Sequence, residues 1–173
     1  MATGKTGPTA PLQLGYRNAS HQPGPLTLLR EVLRLGYQSS ARRVPPASLN
    51  LAVLGDQDIS ELNRRHLGHP YPTDVLAFPD GEIDRQGRCY LGDIALGADC
   101  LARSAQERGI PYRLEFVFCA LHGLFHLLGM EDGDPAKRAA MYRRQLETLR
   151  RAGLDTTGLV KPEETRRKRT KGE

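Results

Sequence analysis

The chain has 173 residues, with Lys+Arg 25 against Asp+Glu 20 for a formal net charge of +5, and 39% apolar residues, which suits one domain around one core. No run approaches the roughly 18–20 apolar residues of a membrane span, and the opening MATGKTGPTAP has no apolar h-region, so neither a spanning helix nor a secretory signal is expected. Cys89, Cys100 and Cys119 form no CxxC pair, which argues against a disulfide framework or a cysteine zinc knuckle and for a reducing, cytoplasmic location.

Residues 1–23, rich in Gly, Pro, Thr and Ala, read as a flexible lead-in, with Leu12-Gln13-Leu14 as a candidate edge strand. Pro25 opens an expected helix to about Arg43, with Leu26, Leu29, Val32, Leu33 and Leu35 as its apolar face. Gly36 weakens that helix and Pro45-Pro46 ends the segment. Leu49, Leu51 and Val53 alternate as in a strand, and Asp56 or Asp58 is placed to cap a short helix through Ile59 and Leu62. Residues 74–78 and 90–96 read as strands joined by the polar DGEIDRQGR in a hairpin-like connection. Helices are expected at 97–108, at 111–128 (apolar nearly all round, hence in the core) and at 135–152, where Asp134 caps, Pro135 starts and Gly153 stops. The order predicts a mixed α/β (α+β) domain over residues 24–155, a small mixed sheet covered by helices. Residues 156–173 read as a charged tail.

The segment LHGLFHLLGMED carries the chemistry. His122 and His126 stand four apart, so on a helix both imidazoles leave one face, the spacing by which one helix offers two nitrogens to zinc. Gly129 falls where the helix must stop and supplies a left-handed turn, which lets Asp132 return to the same metal. Two imidazoles in so apolar a helix are costly to bury without partners, which favours a metal over two core histidines bonded to carbonyls. Zinc peptidases of the HExxH kind carry a general-base Glu after the first His; Gly123 stands there, so an acid–base group must come from elsewhere.

The His122–Asp132 run resembles the HGxLHLxGYDH signature of the YbeY family, bacterial endoribonucleases of rRNA maturation. Glu61-Leu62-Asn63 followed by Pro72-Thr73-Asp74-Val75-Leu76-Ala77-Phe78-Pro79 is similar to the family's LN and PT(D/N)VLSFP segments, and Leu91-Gly92-Asp93-Ile94-Ala95 to its LGDI strand. Order and spacing agree over roughly residues 49–150. The resemblance implies a compact α/β fold with one zinc ion per chain at the end of a buried helix. It implies single-strand-specific RNA cleavage in the cytoplasm, with roles in small-subunit rRNA processing and ribosome quality control. RNA, the small ribosomal subunit and ribosome-assembly proteins would be its partners, and no membrane.

Two departures bear on activity. Asp132 stands where the family has a third His, and Glu131 beside it is the nearest spare carboxylate, a candidate acid–base group or a solvated turn residue. The family's usual arginine falls on Leu67, with His66 where the family has an aromatic. Arg64 and Arg65 then either take over phosphate neutralisation or stand as solvent-exposed helix arginines. Thr73 and Asp74 either contact substrate beside the metal or organise a turn. Asp93 either orients a zinc histidine or has a structural role. The alternative to catalysis is a ribosome-associated RNA-binding factor whose zinc is structural or weakly active. Residues 161–173 hold six Lys/Arg and three Asp/Glu, and residues 1–23 hold Lys5 and Arg17 with no acid, so residues 24–160 are formally neutral. The Arg166–Arg169 run is a candidate for non-specific phosphate contacts.

Overall fold

The computed structural model describes residues 12–40 and 45–159. Residues 1–11, 41–44 and 160–173, and with them the first part of the lead-in and the basic run, lie outside the described residues. The chain runs β1 (Leu12–Asn18), α1 (Leu26–Gln38), β2 (Ala47–Leu54), α2 (Asp56–Leu67), β3 (Val75–Pro79), β4 (Cys89–Gly97), α3 (Ala98–Arg108), α4 (Tyr112–Leu127) and α5 (Pro135–Arg151), with a final 3-10 turn, Thr157–Leu159. The sheet order is β1-β2-β4-β3. β1, β2 and β4 are parallel, and β3 returns antiparallel to β4 as the hairpin-like reading requires. This is the mixed α/β architecture expected.

The strands alternate faithfully. Leu49, Leu51 and Val53 of β2 and Ile94 and Leu96 of β4 point to one face, where they meet Leu29 and Leu33 of α1 and Leu121, Leu124 and Phe125 of α4 in one large core. α5 closes that layer through Met141, Leu146 and Leu149. Ile59 of α2 packs on Leu76 and Ala95 on the opposite face, as a separate small cluster. α4 is buried nearly all round, so the His pair sits at the end of the central helix of the molecule. No described helix is long and apolar enough to cross a membrane.

Four expectations are corrected. The packed unit begins at Leu12, not at residue 24, because β1 pairs along its whole length with β2 and turns Leu12, Leu14 and Tyr16 onto the core. It extends past residue 155, because Leu159 is buried. Gly36 is not a weak point of α1: a Cβ there would lie 2.5 Å from Leu121 Cδ1, so its bareness lets α1 and α4 close together. Neither Asp56 nor Asp58 caps α2; Gly55 holds that position, and Asp99 Oδ2 of α3 accepts from the Asp56 N–H at 3.2 Å while Arg103 takes the Asp56 carboxylate at 2.8 Å.

α4 also buries a carboxyl. Glu115 is fully enclosed, with Arg108 Nη1 at 3.3 Å and Cys119 Sγ at 3.9 Å. Burial pushes its pKa up and outweighs the opposing pull of Arg108. The folded protein therefore holds this proton more tightly than the unfolded chain. The stability so gained is present at low pH and is lost as pH climbs from the ordinary Glu value through the raised folded one. Glu115→Gln should erase that slope and leave the protein more stable at neutral pH, by about 1 kcal/mol. Urea unfolding at a series of pH values checks this; an unchanged slope would contradict it.

Candidate metal centre

The last turn of α4 ends in a Schellman arrangement, the backbone pattern in which a left-handed Gly lets the chain reverse. Gly129 has φ +82°, its N–H donates to His126 O at 2.9 Å, and the Met130 N–H donates to Phe125 O at 2.9 Å. The reversal returns Asp132 to the helix face that carries His122 and His126. Asp132 Oδ2 lies 3.5 Å from His122 Nε2 and 3.8 Å from His126 Nε2, and the two Nε2 atoms are 2.9 Å apart. Side-chain exposures of 27%, 30% and 38% leave the three groups open to a cleft on one side.

The residues fit a divalent cation. Two imidazole nitrogens and a carboxylate oxygen, all within 4.8 Å of one another, are the donor set of open zinc sites. Bonds of about 2.0–2.1 Å in tetrahedral geometry put ligand atoms about 3.3 Å apart, within the observed range. The tautomers also agree. His126 Nδ1 lies 3.1 Å from the Met130 carbonyl, which can only accept, so Nδ1 carries the proton and Nε2 presents a lone pair. Burial first, then the neighbouring His126, holds the His122 pKa below the ordinary imidazole range, which keeps it a neutral ligand at neutral pH.

Sequence reasoning missed the support behind His122. Gln145 of α5 is buried, its Nε2 donates to Phe118 O at 3.1 Å, and its amide lies beside His122, where it favours the protonated ring against the larger lowering by burial. With its amide nitrogen committed, Gln145 presents its oxygen to the imidazole and fixes the ring. Nothing local in the polar α5 sequence marks this residue as buried. Gln145→Leu should weaken metal affinity about 10–100-fold with the fold intact, read by titration against a chromophoric chelator.

The cleft has a volume of about 440 Å³ and is lined by His66, Leu67, Val75–Pro79, His122 and His126. Arg64 and Arg65 do not line it. Both turn outward onto Glu61, at 2.7 and 2.6 Å, and the expected takeover of the arginine role is not seen. The reason is helix phase: Ile59 and Asn63 are the buried positions of α2, and the same stripe continues to His66 and Leu67. His66 packs its ring against Phe78, centroids 4.8 Å apart. Glu131 is 70% exposed and pairs with Lys137. Thr73 and Asp74 sit outside the cleft and organise structure: the Asp74 carbonyl accepts from the Gly97 N–H at 2.9 Å, and its carboxylate accepts from Ser104 Oγ at 3.3 Å. Asp93 accepts from Tyr90 Oη at 2.7 Å and Asn50 Nδ2 at 3.2 Å on the opposite sheet face, so it orients no metal ligand. Gly123 faces the sheet, where a Cβ would meet Ile94 Cγ2 at 3.0 Å and Val75 Cγ2 at 3.2 Å. A general-base Glu cannot occupy that position.

Comparison with known proteins shows the family. A family profile described as Endoribonuclease YbeY matches residues 25–153. Proteins named Endoribonuclease YbeY from Syntrophus aciditrophicus and Synechocystis sp. are 36% and 39% identical over 57% and 61% of this chain, which span 64% and 65% of those relatives. A third, from Geobacter metallireducens, is 31% identical over 66% of this chain and 81% of its own length. A solution structure of a Thermotoga maritima protein matches 82% of this chain and 88% of that one at TM-score 0.53 and 23% identity, a likeness of fold. The matched span holds every strand and helix from α1 to α5 together with His122, His126 and Asp132, and the chain belongs to the YbeY family.

Proposed function

We propose that the chain is a metal-dependent endoribonuclease that cleaves single-stranded RNA, with zinc at His122, His126 and Asp132. Its setting is small-subunit rRNA maturation and ribosome quality control in the cytoplasm. The observation that carries this reading is the convergence of two imidazoles and a carboxylate at the edge of an open cleft that both imidazoles line. A bound divalent cation supplies Lewis acidity toward a phosphodiester oxygen or a water at that spot. The chain's own residues do the rest. Met130 and Gln145 hold the two rings, and Asp132 leaves the site one negative charge poorer in net cation than a three-His set. The tilted His66–Phe78 pair offers rings on which an unstacked base can lie, which a duplex cannot present. His66 is also the titratable cleft-lining group besides the metal ligands, available to move a proton.

The absence of an arginine from the cleft lining, among the described residues, favours one second reading, an RNA-binding factor with a weakly active metal site. Metal removal separates the two. Dialysis against a chelator should abolish cleavage of a single-stranded RNA, and zinc should restore it, while RNA affinity changes less than about threefold, because phosphate contacts away from the metal dominate binding. Cleavage that survives full chelation would overturn the metal-dependent reading. Metal-independent binding with no cleavage in any metal would establish the second.

A further inference from the structure

Residues 24–160 are formally neutral, yet their charge is unevenly spread. α5 carries six Lys/Arg and a single acid, Glu147. Lys137 is answered by Glu131 and Asp134, and Arg150 donates to Thr156 Oγ1 at 3.0 Å. Arg143 and Arg151 are exposed and have neither an ion pair nor a hydrogen bond among the described residues. They flank a groove of about 480 Å³ whose other wall is Ser39, at the end of α1, with Arg144 and Thr148 between. Arg144 is fixed in place: Nη2 donates to Ser39 O at 2.6 Å, Nη1 lies 3.7 Å from Met130 Sδ, and the guanidinium stands 5.4 Å over the Phe125 ring. Among the described residues Arg144 has no carboxylate partner either.

We propose that this groove binds phosphates of an RNA strand, as a second backbone contact outside the metal cleft. The inference rests on the reading of RNA as substrate. Guanidinium forks match phosphate oxygens in pairs, and one of the three is already held rigid, so little side-chain freedom is lost on binding. Arg143 and Arg151 stand eight residues apart, about 12 Å along the helix, which exceeds the separation of successive phosphates in a strand. The groove and the metal centre share one turn: Arg144 touches Met130, whose carbonyl fixes His126. Such contacts carry no base information; they hold the strand while the cleft acts on it. An acidic protein or an anionic lipid surface would answer the same charge, but a concave site continuous with the metal turn suits a strand.

The test uses the full-length protein and a fluorescein-labelled single-stranded RNA, with affinity read by anisotropy across a salt series. R143Q/R151Q should weaken binding about tenfold near 0.1 M salt. The slope of log affinity against log salt should fall by about 1.4, or ~0.7 for each of two phosphate contacts. Glu147→Gln should shift affinity the other way. Both side chains are exposed, and unchanged circular dichroism would confirm the fold. Unchanged affinity and slope in R143Q/R151Q, in a protein that still binds and cleaves RNA, would overturn the groove alone. A parent protein that neither binds nor cleaves RNA would overturn the reading of its substrate instead. If R143Q/R151Q lost binding to phosphatidylserine vesicles while RNA binding held, the groove would belong to a lipid surface and the proposal would fail.

Discussion

Alanine in place of His126 should leave the protein folded, strip it of stoichiometric metal and lower RNA cleavage by about three orders of magnitude. His126 is half of the only pair of metal-spaced nitrogens on α4, and its Nδ1 is already committed to the Met130 carbonyl. Removing it leaves His122 and Asp132, two ligands 3.5 Å apart, too few to hold an open site. The rate term at stake is the charge stabilisation a metal gives a phosphodiester, several kcal/mol, and each 1.36 kcal/mol is tenfold in rate. The side chain is 30% exposed at the cleft wall, so truncation opens the cleft more than it hollows the core. Metal content by mass spectrometry, circular dichroism and a cleavage assay decide the matter together. A folded His126→Ala protein with full metal and full activity would remove the site from the reaction.

The metal helix was legible because its signals are local. The H-x-x-x-H spacing sets the face and a single glycine sets the reversal; Gly129 and Asp132 then follow from backbone geometry. The alternation in β2 and β4 was legible for the same reason, since one face of each strand is buried. What escaped needed long-range partners. Leu12-Gln13-Leu14 was legible as a candidate edge strand, but the run of β1 on to Asn18 rests on parallel pairing with residues 47–53, across the whole of α1. Gln145 looks like any polar residue of a basic helix until α5 docks against α4 and turns it toward His122. The rotation of α2 could have been read: Ile59 and Asn63 already define the buried stripe that brings His66 and Leu67, not Arg64 and Arg65, to the cleft. Of the two alternatives the sequence leaves open for Arg64 and Arg65, helix phase favours the solvent-exposed one.

Leu67→Arg should raise kcat by about 10- to 100-fold and leave KM within a fewfold. Leu67 is 58% exposed on the cleft wall, where the resemblance to the YbeY pattern implies an arginine. Among the described residues no arginine or lysine lines the cleft, so charge developing on a phosphate there would meet no fixed side-chain cation from them. A guanidinium reaching in from the last residue of α2 would face that charge in a partly water-excluded site, where one well-placed donor is worth about 10²–10³ in rate. The gain here falls short of that, because the new side chain is not pre-positioned by neighbours. Stability should hardly move, since the leucine buries little. Geometry distinguishes this from a mere rise in attraction for RNA: Leu67→Lys, the same charge without the fork, should give a smaller rise in kcat, and Leu67→Gln none. If all three variants bind metal and match the parent rate, the scissile phosphate does not pass the α2 wall. The strand must then enter the cleft from the side of β3.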